Sequence, residues 1–568
     1  MRPRLALLML GLTGTSLILV IRLVFVQVVD ASSYSARANS EVDQRVVLAG
    51  GRGAIYDRSG RLLGLSVPAV DVIADDFLIA NPGRLAGELA ALLRVPAERL
   101  RLELSEKNGY VVLARQVSSG VEAKIASLAI GSITFQSDPR REYPGGAAFE
   151  PVLGAVNASG HGDSGIEYAD DALLSGRTGS EILPESVLGP LPGGPTDVVA
   201  AKQGDDLVLS LDGPLQVEAT GAVTAEMRAT HAKSGVAVIE DVHTGAILAM
   251  VDLVTGPGGA IVPADQNLAA TAMYEPGSVM KLATFSFALQ DHLITPASTL
   301  TVPYSLQIGG YSFADAEYHP TQVMSASQIL AQSSNVGTIE ISRLLGPNRL
   351  ASALHVLGFG TPSGLDWPGE TAGLVGTPAQ WEASPSSLGS VPIGTGIAVT
   401  PLQILDAYNA VANRGLMVAP YVVADTIGSD GREIPAVHPP ARRVLDASTA
   451  REIIPMLQLV VQDGTAVCAQ VPGYAIAGKT GTAQVPATNG TGYVPGDFNA
   501  TFVGIVPAAA PELSGIVVLN HPNPIYGGSV SAPVFATIMR YALSHFSITP
   551  AGSASSMASP PTSQCNGQ

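Results

Sequence analysis

The sequence predicts an α+β protein, with an antiparallel sheet flanked by helices, carried behind one N-terminal apolar helix. Three observations predict this. Val236 to Asp241 and Ala246 to Val251 flank the short turn Val242-His243-Thr244-Gly245, the pattern of a β-hairpin. A helical middle follows, and then more strand-like runs, so the sheet joins strands from both ends of one region. Leu5 to Ile21 is an uncharged apolar run that continues as Leu23 to Val29 beyond Arg22, which fits the 17–25 residues of a membrane span.

The N-terminal run is preceded by Arg2 and Arg4, so the positive-inside rule places the N-terminus in the cytoplasm and everything after residue 30 outside. Arg22 lies near one end, where its side chain can reach the interface. A cleaved signal peptide is the competing reading. Its apolar core is about 7–15 residues, shorter than this one, and the cleavage-like Ala36-Arg37-Ala38 lies far from it. Residues 31–200 mix short apolar runs with Gly and Pro turns. Gly51 to Gly60 is turn-rich, and Leu85 to Leu104 has helical character. Pro190 to Pro195 is a Gly/Pro-rich boundary. From Asp205 the second region begins. Beyond the hairpin, Ser278 to Leu289 reads as a helix started by Pro276-Gly277. Ser325 to Gln332 and Val336 to Leu345 read as two helices separated by Ser333-Ser334-Asn335, and Thr400 to Asn413 as another. Tyr474 to Val485, Thr501 to Val506 and Gly515 to Leu519 read as strands, followed by a helix from Pro533 to Leu543. From about Ser547 the chain is Ser/Pro/Ala-rich and is expected to be disordered.

Composition removes whole classes of function. The 568 residues carry 31 Lys+Arg and 48 Asp+Glu, a formal net charge of −17 with no basic tract, unsuited to nucleic acid. The hydrophobic content of 46% is too high for a disordered chain. Two cysteines, Cys468 and Cys565, exclude a cysteine-rich zinc site or a disulfide scaffold. An extracytoplasmic compartment permits them to pair, but Cys565 falls in the Ser/Pro/Ala-rich tail, so no structural disulfide is expected. The nine histidines are scattered without an H-E-x-x-H pattern, and no metal is expected.

Only six of the 31 basic residues are lysines, and two of them sit in chemically suggestive settings. Ser278-Val279-Met280-Lys281 places a hydroxyl and an amine three residues apart, on one helix face. A serine hydroxyl needs an adjacent base, and a lysine serves only when neutral, which burial and a second cation both favour. Lys479-Thr480-Gly481-Thr482 lies in a strand-like run. Lys-Thr-Gly is expected by chance only about 0.03–0.04 times among six lysines at average composition. Glycine there lets another backbone or a ligand approach the strand, and the lysine and threonines could bind a carboxylate. Ser333 and Asn335 could relay a proton and orient an amide.

Taken together, Ser278-x-x-Lys281, Ser333-x-Asn335 and Lys479-Thr480-Gly481 resemble the motif set of the penicillin-binding proteins and class A β-lactamases. Tyr274-Glu275-Pro276-Gly277-Ser278-Val279-Met280-Lys281 resembles the active-serine motif of the class B penicillin-binding proteins. Gly394-Thr395-Gly396 with Val399 to Gln403, and Tyr526-Gly527-Gly528 with Ala532 to Phe535, are similar to later segments of that family. Thr395 replaces a larger residue, so no role is carried onto it. Arg52-Gly53 with Asp57 to Gly60, Arg141 with Tyr143-Pro144, and Gly165-Ile166-Glu167 resemble its non-catalytic N-terminal region.

This resemblance implies a serine β-lactamase/D,D-peptidase-like transpeptidase domain at 205–546. Residues 31–204 would form an elongated α+β pedestal of the dimerisation type, 1–30 a cytoplasmic tip and anchor, and 547–568 a disordered tail. The implied chemistry is D,D-transpeptidation of peptidoglycan stems ending in D-Ala-D-Ala, blocked by β-lactams and needing no cofactor. Ser278 is the implied nucleophile and Lys281 its base. Ser333 and Asn335 assist, Lys479, Thr480, Gly481 and Thr482 hold the terminal carboxylate, and the N–H groups of Ser278 and Thr482 form the oxyanion hole. The implied setting is the plasma membrane in septal wall synthesis, beside a polytopic glycosyltransferase and other divisome proteins. Elongation and sporulation are the alternative settings.

Other readings were weighed. A D,D-carboxypeptidase or β-lactam sensor would share the fold. A class A β-lactamase needs a deacylating glutamate, and no Glu-x-x-Leu-Asn lies between Asn335 and Lys479. Gly473-Tyr474-Ala475-Ile476-Ala477-Gly478-Lys479-Thr480 matches the phosphate-binding loop of P-loop NTPases, but that motif needs a helix starting at Lys-Thr. Gly481, Pro486 and Gly490 follow instead. Gly162-Asp163-Ser164-Gly165 resembles a trypsin-like serine segment without a histidine context and reads as a loop.

Overall fold

A computed structural model describes residues 2–32, 34, 43–48, 50–186, 189–190, 196–487, 492–550 and 565. Ala36-Arg37-Ala38, residues 191–195 and almost all of the tail expected to be disordered lie outside the described residues.

Arg2–Val24 is α-helical and continues as a π-turn through Phe25–Val29. Leu5–Val29 spans 25 residues with a mean hydropathy of 2.1, long and apolar enough to cross a membrane. Two of its hydroxyls bond within the helix: Thr13 Oγ1 donates to the Met9 carbonyl (2.7 Å) and Thr15 Oγ1 to that of Gly11 (2.9 Å).

The chain divides into two compact units interleaved in sequence, where the sequence reading drew a single boundary at 204/205. One comprises 1–52, 69–139 and 175–204; the other 53–68, 140–174 and 205–568. In the first, Ala69–Ala74 lies between Val111–Ser118 and Ile133–Ser137 in an antiparallel sheet. Val72, Ala74 and Leu113 form a core with Leu85, Leu89, Leu100 and Leu104. Leu85 and Leu89 lie on one helix, Pro82–Leu93, and Leu100 on a second, Ala97–Glu103, which Leu104 caps, so 85–104 is not one continuous helix. Arg94 takes a left-handed conformation (φ 56°) and Pro96 follows, which ends the first helix and starts the second.

The interleaving has a simple cause. Ile55–Tyr56 pairs in parallel with Asp206–Leu209, and Leu62–Val67 pairs with Arg140–Glu142, so short N-terminal strands complete a sheet of the second unit. A buried ion pair fixes the splice. Arg141 Nε lies 2.7 Å from Glu167 Oε1, and Arg141 Nη1 donates to the Gly53 carbonyl at 2.7 Å. Three separate sequence segments meet at that guanidinium.

The second unit is built on a six-stranded antiparallel sheet. Its elements are α1 (Gly213–Thr230), β1 (Ser234–Asp241), β2 (Ile247–Thr255), β3 (Ile261–Pro263), α2 (Lys281–Gln290), α3 (Ala326–Ala331), α4 (Asn335–Leu345), α5 (Pro401–Ala412), α6 (Ala447–Gln462), β4 (Ala477–Pro486), β5 (Tyr493–Val506), β6 (Leu513–Asn520) and α7 (Gly527–His545). The strand order is β3-β2-β1-β6-β5-β4. The hairpin forms around its short turn, and β1 pairs along its whole length with β6, Ser234 opposite Asn520 and Asp241 opposite Leu513. Strands from both ends of the region are thus neighbours, and helices cover both faces. This is why β1, β6 and most of β5 are buried on both sides and read as continuous apolar runs. Helices α3 and α5 start with capping boxes, Ser325 with Gln328 and Thr400 with Gln403.

Helix α7 starts at Gly527, six residues before the start expected at Pro533. Its first turn lies against the strands so closely that a Cβ on Gly527 would come 2.3 Å from the Thr501 carbonyl oxygen, and one on Gly528 2.2 Å from that of Thr465. The glycines permit this close approach.

Between β1 and α5 the interior holds carboxylates. Asn409 Nδ2 donates to Glu240 Oε1 at 2.6 Å, and Ser514 Oγ donates to Asn409 Oδ1 at 3.0 Å. Burial, aided by Asp241, pushes the Glu240 carboxyl up to about 8; burial pushes Asp252 up to about 7, and burial with Glu240 nearby holds Asp406 well above the carboxylate range. Each raised carboxyl is protonated in the folded chain while its unfolded counterpart is ionised, so their contribution is complete below about pH 4 and is lost as pH rises towards 8. Glu240→Gln removes the largest ionisable member of this lining while keeping an acceptor for Asn409. Thermal unfolding across pH 5–9 should show the variant gaining several degrees over wild type at the alkaline end, with the gap closing towards pH 5. A gap that does not change with pH would exclude the assignment.

Candidate active site

The nucleophile candidate sits in a tight turn. Gly277–Met280 is a 3₁₀ turn that runs into α2 at Lys281, where a single α-helix from Ser278 was expected. The change strengthens the pairing: in 3₁₀ geometry residues i and i+3 eclipse, so Ser278 and Lys281 stack on one edge. The turn presses on the edge strand β4. A Cβ added to Gly481 would lie 2.6 Å from the Pro276 carbonyl oxygen, so only glycine lets the serine turn reach the strand.

Lys281 is fully buried, and three atoms of the α3–α4 turn surround its amine: the Ser333 carbonyl at 2.6 Å, Asn335 Oδ1 at 2.8 Å and Ser333 Oγ at 3.2 Å. Lys479 is also fully buried, and its Nζ donates to Ser333 Oγ at 2.9 Å and to the Thr480 carbonyl at 3.1 Å. One hydroxyl therefore lies between two buried amines. Burial and the nearby Lys479 hold Lys281 well below the usual lysine range, against a weaker opposing pull from Asp315. Burial brings Lys479 down to about 7. A neutral Lys281 can donate to the two carbonyl oxygens and turn its lone pair to a hydroxyl. A protonated Lys479 can donate to Ser333 Oγ, and the three groups then form a proton path.

A cleft of about 450 Å³ opens here, lined by Ser278, Ser333, Asn335, Thr480 and Thr482 among others. The expected site residues thus converge, with Lys281 and Lys479 forming its polar floor through Ser333. Other lining residues were not foreseen. Thr465 Oγ1 lies 2.6 Å from Thr480 Oγ1, and the Gly527 N–H donates to Thr482 Oγ1 at 3.2 Å, so each threonine of β4 is oriented by a partner. Tyr526, Gly528 and Ser529, at the start of α7, line the same cleft, where the positive end of the helix favours a bound anion. Only Tyr526-Gly527-Gly528 carried a signal in the sequence; Thr465 had none.

One expectation is corrected and one rival is excluded. Cys468, on the cleft wall, is bonded to Cys565, a pairing judged absent from the tail's composition alone. Composition reports the chain's lack of a core, not a covalent tether. The P-loop rival fails because Lys479-Thr480 lies within β4, paired with Val503 and Phe502 of β5, so no helix starts at Lys-Thr as that motif requires.

Comparison with known proteins agrees over nearly the whole chain. Residues 235–540 match the penicillin binding protein transpeptidase domain, and 48–209 the penicillin-binding protein dimerisation domain. The chain is 32% identical to penicillin-binding protein PbpB of Mycobacterium tuberculosis, covering 93% of this chain and 83% of that protein. It is 31% identical to the peptidoglycan D,D-transpeptidase FtsI of Escherichia coli, covering 88% and 84%. The crystal structure of penicillin-binding protein 3 from M. tuberculosis complexed with ampicillin superposes with a TM-score of 0.71 at 28% identity, over 91% of this chain and all of that one.

The two buried amines make a direct prediction. With six lysines in the chain, NMR of isotopically labelled lysine side chains can resolve Lys281, which should titrate far below an ordinary lysine and shift upward in Lys479→Gln, where its cationic neighbour is gone. An ordinary titration in the wild-type protein would contradict the geometry.

Proposed function

Because the chain belongs to the penicillin-binding protein transpeptidase family, a family of serine-type acyl-transfer enzymes, we propose that it is a membrane-anchored peptidoglycan D,D-transpeptidase that cross-links stem peptides and is trapped by β-lactams. The observation that carries this reading is the Ser333 hydroxyl held between buried Lys281 and Lys479 at the floor of the cleft that Ser278 lines. Ser278 attacks the carbonyl of the penultimate D-Ala, and Lys281, neutral, takes its proton. The oxyanion forms against the N–H groups of Ser278 and Thr482. Ser333 passes the proton towards the amine of the leaving D-Ala while Asn335 helps to orient the substrate, and Lys479, Thr480 and Thr482 hold the D-Ala carboxylate beside Gly481. An amine of a second stem then displaces Ser278, and the released bond energy of D-Ala-D-Ala is kept as the cross-link. The reaction draws on no metal or cofactor.

Residues 31–204 act as the pedestal and 205–546 as the transpeptidase domain. The apolar helix anchors the chain in the plasma membrane with the N-terminus in the cytoplasm, as Arg2 and Arg4 favour. Similarity to PbpB and FtsI supports a septal role, beside a polytopic glycosyltransferase that supplies glycan strands.

A fluorescent penicillin should label the wild-type protein covalently and leave Ser278→Ala unlabelled; labelling that survives the substitution would remove Ser278 from its role. Supplied with a D-Ala-D-Ala stem donor and an amine acceptor, the wild type should form dimers, whereas free D-Ala without dimers would assign a carboxypeptidase. Depletion in the parent cell should give filaments; rounded cells would move the protein to elongation.

A further inference from the structure

The turn that presents Ser333 is strained, and something must hold it. Ser333 has φ +57°, a left-handed conformation that is unfavourable for a residue with a Cβ. The strap is a carboxylate from another element. Asp315 follows the hairpin of Ser305–Ile308 with Tyr311–Ala314. Its Oδ2 accepts from Ser334 Oγ at 2.7 Å and its Oδ1 from the Val336 N–H at 2.9 Å, so it grips the turn and the first residues of α4 together. The residue before it helps: Asn335 Nδ2 donates to the Ala314 carbonyl at 2.9 Å, which leaves Asn335 Oδ1 turned to Lys281.

Asp315 is itself clasped. His319 Nε2 lies 3.0 Å from Asp315 Oδ2, and His319 Nδ1 lies 2.8 Å from the Pro320 carbonyl oxygen. Both ring nitrogens face oxygens that accept, so the doubly protonated ring is the form that satisfies both contacts. The same two contacts raise its affinity for the second proton. The charged groups that face Lys281 are Lys479 on β4 and Asp315 on this loop, and Asp315 faces Lys281 and His319. Left alone, Asp315 would draw Lys281 towards its cationic form; paired with His319, it does so less.

We propose that Asp315, clasped by His319, is a positioning residue of the acyl-transfer site, holding the Ser333 hydroxyl between Lys281 and Lys479 while His319 shields Lys281 from its charge. The proposal rests on the function assigned above. The acylation rate rises with pH as Lys281 loses its proton, and the two variants should move that acid limb in opposite directions. Asp315→Asn removes a negative charge and should shift the limb to lower pH. It also loosens the turn, which should slow acylation at the plateau about 10–100-fold. His319→Gln strips Asp315 of its counter-charge and should shift the limb to higher pH with a smaller loss at the plateau.

The test is the second-order rate of labelling by a fluorescent penicillin across pH 5–10, with thermal unfolding measured alongside. Opposite shifts support the proposal, because a merely structural defect moves both variants alike. Wild-type rates and limbs in both variants, or shifts in one direction, overturn it. Should Asp315→Asn not fold, the direction of the His319→Gln shift decides, and an unmoved or lowered limb overturns the proposal. Labelling that persists in Ser278→Ala would instead defeat the functional reading on which this one rests.

Discussion

Two lysine side chains are buried within hydrogen-bond distance of one serine hydroxyl, and the protein is organised around that constraint. Even at an effective dielectric of ~20, two unit charges about 5 Å apart repel by about 3 kcal/mol, and neither amine has bulk water to relieve it. The pair therefore resolves into one neutral and one protonated lysine. That asymmetry suits the proposed chemistry, which needs a neutral amine to take a proton from serine beside a cation that can hold a carboxylate. Arginine could not serve as the base, since a guanidinium does not give up its proton in a protein. A chain that uses arginine for most of its basic positions keeps lysine at 281 for that reason, whereas at 479 an arginine could also bind a carboxylate.

Maintaining this state needs three elements from distant parts of the sequence. Lys281 comes from the head of α2, Ser333 from the α3–α4 turn and Lys479 from the edge strand β4. The central sheet sets β4 in place, and the glycines at 481, 527 and 528 let the serine turn and α7 close directly on it. Much of the fold's unusual glycine use at this end follows from that need for backbone contact around a small, dry site.

The parts legible in the sequence were those determined by local pattern. The hairpin, the capped helices and the sheet that joins both ends of the domain follow from periodicity and turn residues. The three motifs could be found because their residue types are chemically specific. Less legible were features that depend on partners far along the chain. The 3₁₀ turn at Ser278 is imposed by its contact with β4, and helix α7 begins early because two glycines fit against strands. Thr465 is notable only for the distance of its hydroxyl from Thr480. Arg141 and Glu167, quoted as separate fragments, turn out to be one buried ion pair. Asp315 and His319 lie in an unremarkable loop sequence, and their meaning appears only when the turn they hold is seen. The Cys468–Cys565 bond likewise joins residues that no spacing rule connects.

The pairing of β1 with β6 has a consequence for how the protein is made. A ribosome adds about 5–20 residues per second, and Leu513 must be synthesised before Asp241 finds its neighbour. For tens of seconds the first hairpin emerges with one long apolar edge unpaired, the kind of template on which chains aggregate. The interleaved unit compounds this, because Ile55–Tyr56 also waits for Asp206–Leu209. In the anchored topology proposed above, the chain would cross the membrane before this pairing is made, and that edge would have to be kept from other nascent chains until Leu513–Asn520 arrives.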